Sequence, residues 1–316
     1  MKVITCFSYK GGAARTTAAA NIAAALSSTR EQVGSIESPL NRKVALIDLD
    51  VFSAGTHRVF EIENKDINKF TPCIQDYLRD QIAPDVYVDK GGIEFGHDLM
   101  KQFRMVRGGA DNCHPGFTLF PANPVPLRFV VQKQHDNLLI ELMMELDSRE
   151  RAFDYVIIDG ESGTRQMADI ALRLADIVLV FFRLTWQHID GTLNFARDFK
   201  KTSAKKLYLI PTCVPLVSED DKVYRENAPG LSELRDLTAR VPEDSELNQF
   251  ARDNRGDAGL FWAGAGGSDR RLCIHDSLWL KGEERVIVFD EEARQDRAAT
   301  DFYAIAAEIN QGIPPQ

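Results

Sequence analysis

Met1-Lys2-Val3-Ile4-Thr5-Cys6-Phe7 runs directly into Ser8-Tyr9-Lys10-Gly11-Gly12-Ala13-Ala14-Arg15-Thr16-Thr17, and an alanine-rich stretch from Ala18 to Leu26 follows. The first segment reads as a short apolar strand, the second as a turn and the third as a helix. A strand, a glycine turn and a helix opening on threonine make a phosphate cradle, because backbone N–H groups and the positive end of the helix dipole face one point. The usual spacing of such a loop is G-x-x-x-x-G-K-[ST]. Gly11, Gly12 and Thr16 are in place, whereas Tyr9 replaces the first glycine, Ala14 the last glycine and Arg15 the lysine. Arg15 keeps the positive charge and offers two donors to phosphate oxygens. Ala14 is the costlier departure, since a left-handed backbone there costs an alanine about 1 kcal/mol or more.

The rest of the chain extends the same alternation. Val44-Ala45-Leu46-Ile47-Asp48-Leu49-Asp50 is a second strand, apolar on both faces and ending in carboxylates. Such strands belong in a parallel sheet covered by helices. Further strands are expected at Phe117–Pro121, Phe153–Asp159, Ile177–Phe182, Lys206–Pro211 and Val286–Phe289. Helices are expected at Ile74–Ile82, Leu127–Arg151, Thr164–Leu174, His188–Lys201 and Ala298–Ile309. Leu138, Leu139, Leu142, Met143 and Leu146 recur at helical spacing and are core candidates. The expected fold is α/β, with a three-layer, mostly parallel sheet and helices on both faces. One domain would span residues 1–316, with an irregular insertion at about 61–116 and a polar elaboration at about 218–285.

Composition narrows the function classes. With 38 basic and 47 acidic residues, the formal charge is −9, which gives no overall attraction to phosphate polymers. Five scattered cysteines (Cys6, Cys73, Cys113, Cys213 and Cys273) form no C-x-x-C pair and read as reduced thiols of a cytoplasmic protein. The N-terminus is a strand running into a glycine turn, so it does not read as a signal peptide. No apolar run reaches the roughly 18–20 residues of a membrane span, and the tail Gln311–Gln316 is no basic amphipathic helix, so no membrane attachment is expected.

In a parallel sheet the glycine turn, Asp48 with Asp50, and Asp159 all arrive at the carboxyl edge, where ligands of open α/β sheets sit. Nucleotide hydrolysis needs these residue types. Phosphate takes N–H donors and a cation; Mg²⁺ takes a hydroxyl such as Thr16 and a nearby carboxylate; the attacking water needs an acceptor, which Asp50 or Asp48 can provide.

The loop Ser8-Tyr9-Lys10-Gly11-Gly12 with Thr16-Thr17 resembles the deviant phosphate loop of the ParA/MinD class of P-loop ATPases, whose mark is an extra lysine, here Lys10. Ala45–Asp50, Leu119–Asn123 and Phe153–Asp159 are similar to further stretches of that class, in its order. Arg15 together with Gly55-Thr56-His57-Arg58-Val59-Phe60 resembles a sub-branch with loops of the form KGG-x-G-R-[ST]. The likeness covers roughly residues 1–60 and 117–211 with the closing helix. It implies an ATP-binding, Mg²⁺-dependent ATPase that forms a homodimer on ATP binding and recruits a partner protein. Lys10 would reach the partner subunit's phosphates, and Gly11, Gly12, Ala13, Ala14 and Arg15 would hold the nucleotide. Thr17 would bind the α-phosphate. Thr16 would bind Mg²⁺ with Asp48 and Asp159 behind it, and Asp50 would position water, making Lys10, Asp50 and Arg15 the catalytic set. That class places asparagine after the strand ending at Ile210 to read adenine; here Pro211-Thr212 follows, with Thr212 as the candidate.

Plainer readings stand beside these. The fold could persist with a degraded site, as a non-catalytic interaction scaffold, which Tyr9, Ala14 and the missing asparagine favour. A DNA-partitioning ATPase is a third reading, through Lys200, Lys201, Lys205 and Lys206. That cluster reads first as a solvated helix end, and it lacks the interleaved aromatics of single-strand binders. Cys113-His114 and Cys273 with His275 read as ordinary core or surface residues before they read as metal ligands.

Overall fold

The computed structural model describes residues 1–28, 32–33, 36–37, 42–63, 72–79, 82–95, 117–124, 129–148, 150, 152–163, 165–202, 205–214, 273–282, 286–289 and 293–311. Cys113-His114, most of 218–285 and the tail beyond Gln311 lie outside these residues.

Strands are named β1 (Lys2–Phe7), β2 (Gln32–Val33), β3 (Ile36–Glu37), β4 (Val44–Asp48) and β5 (Ile93–Glu94), then β6 (Phe117–Phe120), β7 (Tyr155–Asp159), β8 (Ile177–Arg183), β9 (Lys206–Val214) and β10 (Ile274–His275). Helices are α1 (Arg15–Ser27), α2 (Thr56–Val59), α3 (Ile74–Leu78), α4 (Pro84–Gly91) and α5 (Gln134–Leu146), then α6 (Gln166–Leu174), α7 (Trp186–Thr202), α8 (Leu278–Gly282) and α9 (Arg297–Gln311).

Eight strands form one sheet in the order β10-β9-β8-β1-β7-β4-β6-β5, while β2 and β3 pair with each other apart from it. All neighbours in the large sheet run parallel except β5 against β6. Strand residues divide between two covered faces, as period-two geometry requires. Ile4, Leu46, Ile157 and Leu179 face the layer that holds α1 and α9. Val3, Ile47 and Ile158 face the layer built on α5 and α6, and Val178 and Val180 face α7. Each such side chain, once buried, contributes about 1.5–3 kcal/mol, which explains why these strands are apolar throughout rather than alternating. Helix α1 is buried along almost its whole length, and its alanines let it lie close to both the sheet and α9.

Several element boundaries differ from the sequence expectations for local reasons. The helix expected over Leu127–Arg151 occupies only Gln134–Leu146. Before it, the Gln132 N–H donates to His135 Nδ1 at 3.2 Å and Phe129 stacks on His135. After it, Ala152 takes a φ of 49° and turns the chain into β7. The strand expected at Val286–Phe289 is instead a 3₁₀ turn, Ile287–Phe289, whose Val288 N–H donates to Asn21 Oδ1 of α1. The helix expected over Ile74–Ile82 ends at Leu78, and Pro84 opens the next helix at its first turn, where the missing N–H is harmless. Strand β9 continues past Pro211 to Val214; β10 pairs with it only from Thr212 onward, so Pro211 breaks no ladder on that side.

Candidate functional site

The sheet order places β1, β7 and β4 side by side. Cys6 pairs with Asp159, and Asp48 pairs with Asp159, so the end of β1 and both carboxylate-bearing strand ends lie in one row. The loop after β1 leaves Gly11 and Gly12 exposed, and Gly12 has a φ of +79°. Ala14, the residue before α1, adopts the left-handed conformation with φ 55° and ψ 28°. The loop therefore keeps the backbone a glycine would favour and carries a methyl group there. Replacing Ala14 by glycine should raise stability by up to about 1 kcal/mol, the left-handed penalty less the entropy glycine adds to the unfolded chain. Urea unfolding of the two forms measures it.

Tyr9 has a packing role. A Cβ on Gly191 of α7 would stand 2.3 Å from Tyr9 Cδ1, so the ring lies directly on that glycine. Beside it, Lys10 Nζ donates to Gln187 Oε1 at 3.3 Å across the surface. The loop is held from the other side as well: the Gly163 N–H donates to the Ser8 carbonyl, and Thr212 Oγ1 donates to the Ala13 carbonyl at 3.1 Å. Thr212 is buried, and its single hydroxyl proton lies between the Ala13 and Phe182 carbonyls, so the hydroxyl ties the loop to β8.

Arg15 is the centre of the site. Its Nε donates to Asp159 Oδ1 at 2.6 Å and its Nη2 to Asp50 Oδ2 at 3.0 Å. The side chain is only 8% exposed. Burial opposes its charge, but the two carboxylates outweigh that and hold the guanidinium more firmly protonated than usual. Asp159 is completed by Thr56 Oγ1, which donates to its Oδ2 at 3.2 Å. Asp50 Oδ1 accepts the Ser53 N–H at 3.1 Å, and burial raises its pKa although Arg15 pulls the other way. Asp48 is spent on backbone, accepting the N–H groups of Asp50, Gly55 and Thr56. Full burial and the neighbouring Asp159 charge raise its pKa to about 7.

That shift has a defined sign. An acid whose folded pKa lies above its unfolded value of about 4 favours folding most at low pH and loses that favour as pH rises toward 7. Relative to Asp48→Asn, the wild type should therefore lose on the order of 2 kcal/mol between pH 5.5 and pH 8, read from denaturant midpoints at the two pH values.

Two further residues enter the site without having stood out in the sequence. Gln75 of α3 is buried, donates through Nε2 to the Val51 and Asn123 carbonyls and accepts the Asn123 N–H, pinning the chain just beyond Asp50. Glu161 follows Asp159 in the turn that rests on the phosphate loop, where a Cβ on Gly11 would stand 3.9 Å from Ser162 Oγ. Burial raises the Glu161 pKa. Thr56 lies inside the quoted Gly55–Phe60 stretch, whereas nothing in the pattern around Gln75 marks it. Thr16 is half-buried beside Arg15, and Thr17 is buried.

The oxygen donors here, Thr16, Asp48 and Asp159, are of the kind Mg²⁺ prefers. Among the described residues, no group of three His, Cys, Asp or Glu side chains is placed to hold a metal by itself. No described helix is long and apolar enough to cross a membrane.

The fold is that of the ParA/MinD class of P-loop ATPases, an eight-stranded, mostly parallel sheet with helices on both faces. Three solved structures define the likeness. MinD of Aquifex aeolicus in its complex with MinC shares 18% identity and a TM-score of 0.56, covering 100% of this chain and 98% of that one. The septum site-determining protein MinD of Pyrococcus horikoshii, complexed with Mg-ADP, shares 15% with a TM-score of 0.57, covering 98% and 96%. A plasmid partition protein of Borrelia burgdorferi bound to AMPPNP shares 19% with a TM-score of 0.58, covering 99% of each chain. Neither a family model nor a curated protein sequence matches the chain.

Proposed function

We propose that this protein is an ATP-binding, Mg²⁺-dependent ATPase that dimerises on ATP and so recruits a partner protein. The observation that carries the reading is the joint placement of an exposed glycine loop, Lys10, and the Arg15–Asp50–Asp159 cluster at adjacent strand ends. The structures with Mg-ADP and AMPPNP on the same fold support it, as does the complex of MinD with MinC.

In this reading the backbone of Gly11, Gly12, Ala13 and Ala14 lines the phosphates, and Thr17 takes the α-phosphate. Thr16, Asp159 and Asp48 would hold Mg²⁺. When bound, Mg²⁺ neutralises phosphate charge. Arg15 exchanges its carboxylate partners for phosphate oxygens, which releases Asp50 to accept a hydrogen bond from the attacking water. Lys10, whose described hydrogen bond is to Gln187 at the surface, would swing toward the phosphates of a second subunit. Light scattering tests the switch: the mass should double with a non-hydrolysable ATP analogue and Mg²⁺, and an unchanged mass at saturating nucleotide rejects it.

One observation favours a second reading, a non-catalytic scaffold. Arg15, the cation of the loop, is buried and engaged by both Asp50 and Asp159. Calorimetry separates the two, because binding weaker than about millimolar leaves only some 4 kcal/mol to drive any rearrangement.

A further inference from the structure

We propose that Glu161 is a second acceptor for the attacking water, so that the nucleophile is held between two carboxylates, Asp50 and Glu161. The proposal rests on the ATPase reading above. Its side chain is 4% exposed, and one oxygen, Oε1, accepts from Arg165 Nη1 at 2.5 Å. The other oxygen, Oε2, is buried and has no hydrogen-bond partner among the described residues. A buried carboxylate oxygen left unpaired is costly, more so than a neutral group, and in a native fold it calls for an explanation.

The position of Glu161 supplies one. It stands in the turn between Asp159 and Gly163, and that turn is bonded to the phosphate loop through Gly163 and Ser8. Ser162 of the same turn lies beside Gly11. Arg165, 70% exposed, fixes the carboxylate from the rim and leaves Oε2 for a ligand.

A small hydrogen-bond donor that fits an orphan carboxylate oxygen beside a phosphate loop is water. A water molecule has two O–H groups, and in-line attack requires that its lone pair face phosphorus. Two acceptors fix that orientation where one leaves it free to rotate. The water oxygen bonds the γ-phosphorus as the bond from that phosphorus to the β–γ bridging oxygen breaks. ADP leaves with the electron pair; one water proton ends on the released phosphate and the other in solvent.

The test measures ATP turnover and the affinity for a fluorescent, non-hydrolysable ATP analogue with Mg²⁺, in the full chain, for wild type, Glu161→Gln and Arg165→Gln. Expected are a roughly 100-fold lower turnover for Glu161→Gln with affinity within threefold, and about tenfold lower turnover for Arg165→Gln. Arg165 is exposed, so that second variant does not depend on how the core tolerates change. Wild-type turnover that survives in Glu161→Gln overturns the proposal and leaves the ATPase reading standing. Loss of analogue binding in Glu161→Gln also overturns it, by making the residue structural. Absent turnover in the wild type removes both.

Discussion

Replacing Arg15 by alanine is expected to lower folding stability by about 3–5 kcal/mol, because it leaves Asp50 and Asp159 without their shared counter-charge. Both carboxylates bond the guanidinium directly, and Asp159 is nearly inaccessible to water. Arg15→Lys should recover less than half of the loss. A lysine is a compact point charge and cannot present two separated donors to two carboxylates at once. A denaturation series on wild type, R15A and R15K reads the effect. A loss below about 1 kcal/mol for R15A would mean that the pair is spanned by other groups. The double variant Arg15→Met with Asp50→Leu should lose less than R15A alone, since removing both partners avoids a stranded charge.

Lys10→Ala is expected to leave stability within about 0.5 kcal/mol of wild type and to lower ATP turnover by about 100-fold or more. The two halves of this outcome come from the same geometry. Among the described residues, Lys10 makes one long hydrogen bond, to Gln187 at the surface, so the fold has little to lose. A lysine that reaches another subunit's phosphates acts on developing charge, where a supplied cation is worth several powers of ten. Equal turnover in Lys10→Ala and wild type would remove Lys10 from the chemistry. Mixing Lys10→Ala with Asp50→Ala then reports the direction of action, since a lysine supplied in trans should restore part of the activity to the mixed dimer.

The parts of this fold that sequence reveals are those where local pattern and burial agree. Apolar runs such as Val44–Asp48 and Tyr155–Asp159 are strands because both faces of the sheet are covered. The carboxylates that end them fall in one row because parallel register sets Asp48 and Asp159 side by side. Left-handed Ala14 follows from the loop's own spacing. What stayed hidden depends on long-range partners. Arg15 reads as a phosphate ligand, and only the fold shows it bridging Asp50 and Asp159. Tyr9 reads as a flaw in a glycine loop until Gly191 of α7 is seen beneath its ring. Gln75 sits in a stretch with no recognisable pattern, because its contribution is three hydrogen bonds to backbone far along the chain. The apolar run Val286-Ile287-Val288 looks like a strand, but it is buried against α1, leads into a 3₁₀ turn and pairs with no strand among the described residues.

The central claim is that this loop, with arginine in place of lysine and alanine in place of glycine, still binds and hydrolyses ATP. Phosphate release by the purified full chain, with ATP, in the presence and absence of Mg²⁺, tests it most directly. Slow turnover that requires Mg²⁺ and is lost in Asp50→Ala is expected; no Mg²⁺-dependent phosphate release from the wild type at millimolar ATP would contradict ATP hydrolysis by this loop.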